Sequence, residues 1–138
     1  MTTFSKGQFD VAKTSFHAAL LLSDEVFVLP SSSAPGFGQR PLLLAKHSGL
    51  QPTDKMKLTL CPGEHTTAKL LLDLFYPGST RVEHRVFSDV MPKLQAGQAD
   101  FGLCIHEGRF TWQDEGLGLL EDLGTRWEEA TPRPVPPD

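Results

Sequence analysis

Residues 57–76 read KLTLCPGEHTTAKLLLDLFY, and this stretch decides the fold. Lys57 to Cys61 predicts a short buried strand, which Pro62-Gly63 closes. The apolar residues that follow have helical spacing and predict a helix at about 65–76, which ends at Tyr76-Pro77-Gly78. A strand, a glycine turn and a helix in this order form the basic unit of a parallel α/β sheet.

The same alternation continues towards the C-terminus. Arg81 to Val86 alternates apolar and polar residues and predicts a half-buried strand. A helix at 88–96 follows, with Ser88 as its N-cap and Gly97 at its end. Asp100 to His106 is almost wholly apolar and predicts a buried strand. The chain is therefore expected to form a mostly parallel sheet with both faces covered by helices.

The N-terminal third and the tail have weaker patterns. β-Branched and aromatic residues predict short strands in the N-terminal third. A segment rich in serine, glycine and proline predicts a loop. Four prolines in the tail predict a linker or a crossing. The predicted segments are strands at Phe9 to Ala12, Glu25 to Leu29 and Leu42 to Ala45, a helix at Phe16 to Leu22, a loop at Pro30 to Arg40 and the tail Thr131 to Asp138.

Composition excludes several classes of partner. The chain has 138 residues, which is the size of one domain, and a formal charge of −4. Nucleic acid is disfavoured as a partner because no lysine or arginine cluster is long enough to release many counterions from a phosphate backbone. No apolar run is long enough for a membrane span, and the first residues do not resemble a secretory signal. Cys61 and Cys104 lie in apolar strands and are expected to be buried reduced thiols, which favours the cytoplasm.

The turn at residues 62–68 is the first candidate site. A helix N-terminus offers free N–H groups and the positive end of the helix dipole, and the hydroxyls of Thr66 and Thr67 add donors. This combination suits a ligand carboxylate or several ligand hydroxyls. The competing interpretation is that Thr66 only caps the helix.

Two other segments carry candidate side chains. His106 lies at the carboxyl end of a strand, where open α/β sheets place ligands, and it can act as a general base, although pairing with a nearby acid is the structural alternative. Ser15, at the end of Lys13-Thr14-Ser15, can donate to a ligand or cap the next helix, and its spacing favours the cap. The remaining histidines, including His17, are expected to be solvated or structural. A metal site built from His65, Cys104 and His106 is disfavoured, so we expect no metal.

Read in order, these segments resemble one known family, 1,4-dihydroxy-6-naphthoate synthase of menaquinone biosynthesis. The resemblance covers nearly all of residues 4–136. It rests on FDVAKTSFH at 9–17, PGEHTTA at 62–68, AGQADFGLCIHEGRFT at 96–111, and Asp122-Leu123-Gly124 followed by Trp127-Glu128-Glu129.

The resemblance implies a two-lobed fold like that of type II periplasmic binding proteins, working as a cytoplasmic carbon–carbon lyase of the futalosine pathway without metal or organic cofactor. The implied substrate is cyclic dehypoxanthine futalosine, and the implied products are 1,4-dihydroxy-6-naphthoate and dihydroxyacetone. His106 matches the family's general base. The implied substrate-binding residues are Lys13, Thr14, Ser15, Thr66, Thr67 and Ile105.

Two features depart from the family pattern. The family's loop Gly-x-Gly-x-Gly-Pro reads here from Gly36 to Pro41, with Arg40 at the third glycine, which puts a close approach of this loop to a ligand in doubt. The chain is also short, and we expect a truncated form. It would hold part of the larger lobe at 1–45, a complete smaller lobe at 46–130 and a proline-rich inter-lobe crossing at 131–138.

Three hypotheses about function remain open. The chain is a piece of the naphthoate synthase, a ligand-binding module of the same fold without catalysis, or a relative of chorismate dehydratase from the same pathway. All three have a small-molecule ligand and neither nucleic acid nor a membrane as partner. The sequence does not set the oligomeric state, and a homodimer stays an option.

Overall fold

The computed structural model describes residues 8–31, 40–106 and 108–136. These residues form a mixed α/β fold with one five-stranded sheet. The strands are β1 (Leu42–Ala45), β2 (Leu58–Pro62), β3 (Arg81–Arg85), β4 (Phe101–Cys104) and β5 (Gly118–Asp122). The helices are α1 (Phe16–Leu21), α2 (Thr67–Phe75), α3 (Phe87–Gln95), α4 (Gly108–Thr111) and α5 (Leu123–Ala130).

The strand order across the sheet is β3-β2-β4-β1-β5. β2 pairs in parallel with both β3 and β4, as the alternation of strands and helices predicts. β1 runs antiparallel between β4 and β5 and is buried along its whole length. The expectation of a mostly parallel sheet is therefore confirmed for β2, β3 and β4, whereas the sheet as a whole is mixed.

Helices cover both faces of the sheet. On one face, α2 and α5 pack on alternate residues of the central strands, including Leu43, Phe101 and Leu103. On the other face, Val90 and Leu94 of α3 pack on the residues that point the opposite way. The period-two alternation of the strands thus supplies two separate apolar layers, as a doubly covered sheet requires.

The predicted elements from Leu42 onwards are confirmed, with small shifts at their ends. α3 begins one residue earlier than predicted, so Val86 occupies the N-cap without a side-chain hydrogen bond and the predicted cap at Ser88 is wrong. Its C-terminal end is as predicted. Gly97 has a φ of 72°, and the N–H groups of Gly97 and Gln98 donate to the carbonyls of Leu94 and Lys93, the Schellman pattern.

Two predicted strands are wrong. Residues 9–12 and 25–29 form no strand, and most of their side chains are exposed, with Phe27 at 83%. A strand needs a neighbour to receive its backbone hydrogen bonds, and neither segment pairs with another segment of the described chain. The helix predicted between them is confirmed as α1, although the predicted loop at 30–40 lies mostly outside the described residues.

The predicted lobe boundaries lie within segments that pack into one sheet and one core. The boundary after residue 45 directly follows β1, which is an inner strand of the same sheet as β2 to β5. In the proline-rich tail, Val135 is buried in the core under α2 and α5, and the carbonyl of Pro134 accepts a hydrogen bond of 3.1 Å from the Trp127 indole. Residues 42–45 and 131–136 therefore pack against the predicted smaller lobe, and the division into lobes stays a prediction.

No helix in the described segments is long and apolar enough to cross a membrane.

A cluster of side chains around Tyr76 joins the end of α2 to β5 and α5. The Tyr76 hydroxyl donates to Glu121 Oε2 at 2.5 Å, and Arg126 pairs with the same oxygen at 3.0 Å. The Arg126 guanidinium carbon lies 4.5 Å above the centre of the Phe75 ring. Burial and, secondly, the hydrogen bond to the Glu121 carboxylate raise the pKa of Tyr76 to about 12.

Replacing Gly102 with alanine is expected to lower the free energy of unfolding by about 1–3 kcal/mol. A Cβ at this position of β4 would lie 2.7 Å from Val90 Cγ1, and both residues sit where α3 packs on the sheet. Urea unfolding measures the loss. In a double-mutant cycle, Val90→Ala makes room for the added methyl, so the double variant should lose less than the two single losses together. Strict additivity would contradict the predicted clash.

Alkaline titration is expected to show the raised pKa of Tyr76 directly, because Tyr76 is the chain's single tyrosine. The rise in phenolate absorbance at 295 nm should have its midpoint at pH about 12 in the folded chain and at pH about 10 in urea. Because folding raises this pKa, protonated Tyr76 adds to the free energy of unfolding. The contribution is complete below pH about 10 and is lost as the pH rises towards about 12. Glu121→Gln should lower the folded midpoint, and an unchanged midpoint would remove the assigned partner.

Candidate functional site

The carboxyl ends of four strands, β2 to β5, lie at one edge of the sheet. β2 and β4 are parallel neighbours, with Thr59 opposite Phe101 and Leu60 opposite Gly102, so their carboxyl ends lie side by side. Leu42 of β1 stands opposite both the last residue of β4 and the last residue of β5. The turns into α2, α4 and α5 therefore begin at this edge, which is where open α/β sheets bind ligands.

The turn after β2 has the predicted helix-start geometry. Gly63 adopts a φ of 97°, which favours glycine. Thr66 is the N-cap of α2, and its Oγ1 accepts from the Lys69 N–H at 3.2 Å, so Thr66 does cap the helix. Capping uses one lone pair and leaves the Thr66 O–H able to donate to a ligand. Thr67 is 2% exposed and already engaged in an interaction within the protein.

Ser15 lies against this turn although 50 residues separate the two segments. Its Oγ accepts from the Ala18 N–H at 3.0 Å as the N-cap of α1, and its O–H donates to the His65 carbonyl. A hydroxyl has one proton and two lone pairs, so Ser15 keeps one lone pair to accept from a ligand. Lys13 and Thr14, which precede it, are exposed. The structure thus brings two of the three predicted segments together.

His17 is a residue that the sequence patterns left unassigned. Its Nδ1 lies 3.1 Å from the carbonyl oxygen of Thr66, and its ring meets the His65 ring edge to face at 5.9 Å. His17 is therefore structural, as expected, but its partner is the backbone of the candidate site. Spacing alone contains no signal for this contact, because the two residues are 49 positions apart.

His106 lies at the same sheet edge, just beyond β4. It is exposed, with its ring 5.7 Å from the Phe87 ring in an edge-to-face arrangement. Its φ of 53° is in the left-handed region, which non-glycine residues occupy mostly at tight turns and functional sites. The His106 imidazole is therefore exposed at the sheet edge where open α/β sheets bind ligands.

The packing of α4 explains the turn at His106. A Cβ at Gly108 would overlap the Cys104 sulfur and approach Met91 Sδ to 2.9 Å, so the chain comes back closely over the end of β4. His106 lies between these two residues and has its left-handed backbone conformation where the chain turns back. Ile105, predicted to line a pocket, is half-buried and packs against the core under α2 and α5.

Arg40 occupies the position where the family pattern has a glycine. Residues 36–39 of the predicted glycine loop lie outside the described chain. The Arg40 guanidinium pairs with Glu128 at 2.6 Å and donates to Thr125 Oγ1 at 3.1 Å. Its side chain crosses the start of α5, where a Cβ on Gly124 would lie 2.5 Å from it. Arg40 therefore anchors the entry to β1 on α5.

The two cysteines at this edge are not suited to nucleophilic chemistry. Neither forms a disulfide and both are buried, as expected from the sequence. Burial raises the pKa of Cys104 to about 11, so the thiol form dominates at neutral pH. Within residues 8–31, 40–106 and 108–136, no three His, Cys, Asp or Glu side chains gather as metal ligands would.

Comparison with known proteins adds independent evidence. The model of a menaquinone biosynthesis family matches residues 2–136. Two relatives named 1,4-dihydroxy-6-naphtoate synthase match 95% of the chain, one from Thermus thermophilus at 37% identity over 131 residues and one from Streptomyces coelicolor at 35% over 136 residues. The chain covers 47% and 48% of their lengths, so it spans about half of the curated relatives it matches.

A solved structure agrees with these matches. A crystal structure of a protein from Archaeoglobus fulgidus superimposes with a TM-score of 0.84 at 31% identity, over 97% of this chain and 49% of that one. The recognised motifs, the described site and the extent of the family match all lead to the same assignment. The chain belongs to the menaquinone biosynthesis family and is similar to its 1,4-dihydroxy-6-naphthoate synthases.

Proposed function

We propose that this chain contributes to a carbon–carbon lyase of the futalosine pathway, which converts cyclic dehypoxanthine futalosine to 1,4-dihydroxy-6-naphthoate and dihydroxyacetone. The observation that carries the proposal is His106, which stands exposed at the carboxyl end of β4, in the motif that matches the family's general base. The names of both relatives favour this reaction over that of chorismate dehydratase.

In this proposal His106 takes a proton from a sugar hydroxyl of the substrate, and the electrons released start the cleavage of the neighbouring carbon–carbon bond. The edge-to-face contact with Phe87 supports this role because it limits rotation of the imidazole. A base held in one orientation needs less reorganisation when the substrate arrives.

The turn at residues 62–68 and the Lys13-Thr14-Ser15 segment form the binding side of the proposed site. The Thr66 hydroxyl can donate to a ligand, and the remaining lone pair of Ser15 can accept from one. The N-terminus of α2 adds its positive dipole end for a carboxylate. Thr67 and Ile105 are buried or half-buried, and we propose that they shape the floor of the site rather than reach the ligand.

We also propose the two-lobed fold of type II periplasmic binding proteins. Two features support it: β1 enters the sheet antiparallel from the N-terminal segment, and that segment exposes large apolar side chains. Leu20 is 51% exposed, Leu21 60% and Phe27 83%, which suits a second lobe that packs there. The proposed setting is the cytoplasm, and the proposed chemistry needs no metal or organic cofactor.

Replacing the histidine that matches His106 by alanine in a full-length relative is expected to lower turnover by about 10²–10⁴-fold, the usual contribution of a general base. Affinity for the product naphthoate should change far less, because the hydroxyl contacts remain. Release of dihydroxyacetone measures turnover. The matched control is valine at the position of Thr66, which should weaken affinity more than turnover. If the alanine variant keeps its rate, His106 is not the base.

For the 138-residue chain alone, we expect binding of the naphthoate without measurable cleavage of the futalosine substrate. His106 is exposed, so water reaches the base and competes with the substrate for it. We therefore expect the isolated chain to act as a binding module and the full-length relatives to carry out the reaction. Dihydroxyacetone release near that of a full-length relative would contradict this expectation and leave the family assignment intact.

A further inference from the structure

Two hydrogen bonds join α1 to the turn that starts α2. The Ser15 hydroxyl donates to the carbonyl of His65, and the ring of His17 contacts the next carbonyl along the chain, that of Thr66, at 3.1 Å. We call this pair of contacts the α1 clamp. Both of its donors come from the first residues of one helix, so the two bonds form or break with the docking of α1.

The chemistry of the His17 contact fixes the tautomer. A carbonyl oxygen can only accept, so Nδ1 of His17 must carry the proton, which leaves Nε2 as the acceptor in the neutral ring. The Thr66 oxygen also accepts from the Leu70 N–H at 3.0 Å inside α2. Both lone pairs of this carbonyl are therefore occupied, and the His17 bond adds to the helix rather than replacing one of its bonds.

The clamp acts on the orientation of two peptide planes. A trans peptide is rigid, with its C=O and N–H pointing in opposite directions. Holding the carbonyls of His65 and Thr66 towards α1 therefore directs the N–H groups of Thr66 and Thr67 to the other side. These N–H groups are at the beginning of α2, where the proposed function places the negative or hydroxyl-bearing part of the ligand.

We propose that His17 is a positioning residue, which holds the turn at residues 62–68 in its ligand-binding conformation through the carbonyl of Thr66. The inference rests on the proposed function for the identity of the ligand, but the contact itself does not. It assigns a role to a histidine that is not among the implied catalytic or substrate-binding residues, and it explains why α1 docks beside α2 although only Ala18 of α1 is buried.

Three variants of the chain separate this role from general packing. His17→Asn keeps an N–H donor at the position of Nδ1, and His17→Leu keeps a similar volume without a donor. His47→Leu is the control, because His47 is exposed in the loop after β1. Affinity is measured by calorimetry with 1,4-dihydroxy-6-naphthoate as the probe. Amide hydrogen exchange is followed at Lys69 and Leu70, whose N–H groups donate to the Thr66 hydroxyl and carbonyl, and, for comparison, in β4.

The expected result is a selective loss. His17→Leu should raise the Kd for the probe about tenfold, the typical contribution of one hydrogen bond. It should speed exchange at Lys69 and Leu70 by a similar factor while β4 exchange changes little. His17→Asn should stay within about threefold of the unaltered chain, and His47→Leu should match it.

Other outcomes overturn the proposal. Equal effects of His17→Leu and His17→Asn would show that the ring, not the donor, matters. Faster exchange in β4 and at Lys69 and Leu70 alike would show a general loss of stability. If the unaltered chain does not bind the probe, the proposed function fails for the isolated chain, and the exchange at Lys69 and Leu70 still decides whether His17 positions the turn.

Discussion

The fold depends on the insertion of β1 between β4 and β5. Leu43, Leu44 and Ala45 are fully buried, and the strand hydrogen-bonds on both sides. Without β1, β4 would end the parallel part of the sheet as an open edge, and β5 with α5 would have no neighbour to pair with. Because β1 contributes side chains to both apolar layers, it also fixes the distance at which α3 and the α2–α5 pair pack on opposite faces.

Local patterns predicted the elements that are stabilised by their own sequence. The strand, turn and helix at residues 57–76 follow from apolar spacing, Gly63 and the Thr66 cap, all of which act within a few residues. The direction of β1 does not follow from its four apolar residues, since a strand buried on both faces reads the same in either direction. The segments at 9–12 and 25–29 have strand-like residues but no partner in the described sheet, and pairing is a property of the whole fold.

Part of the geometry of the candidate site follows from the sequence. The ends of β4 and β2 place His106 and Thr66 at the carboxyl edge, because parallel strands bring their ends together. Ser15 reaches the same turn through its bond to the His65 carbonyl, without the strand predicted before it. The left-handed conformation of His106 depends on how closely Gly108 approaches Cys104, which spacing does not reveal. The His17 contact spans 49 residues, and a single histidine in a short helix carries no periodic signal.

Packing in the core determines where the turns of the candidate site begin and how the neighbouring helices approach them. The register of β2 and β4 sets where the turns after Pro62 and Cys104 begin, and close packing around Gly102 and Gly108 sets how α3 and α4 approach those turns. α3 in turn brings Phe87 to the His106 ring, while on the opposite face α1 reaches the start of α2 through Ser15 and His17. The proposed base and the proposed binding turn are thus supported from different faces of one sheet. A change in the packing of α3 should therefore disturb the orientation of His106 while leaving the turn at residues 62–68 largely intact, since the two share β2 and β4 but not the helices that hold them.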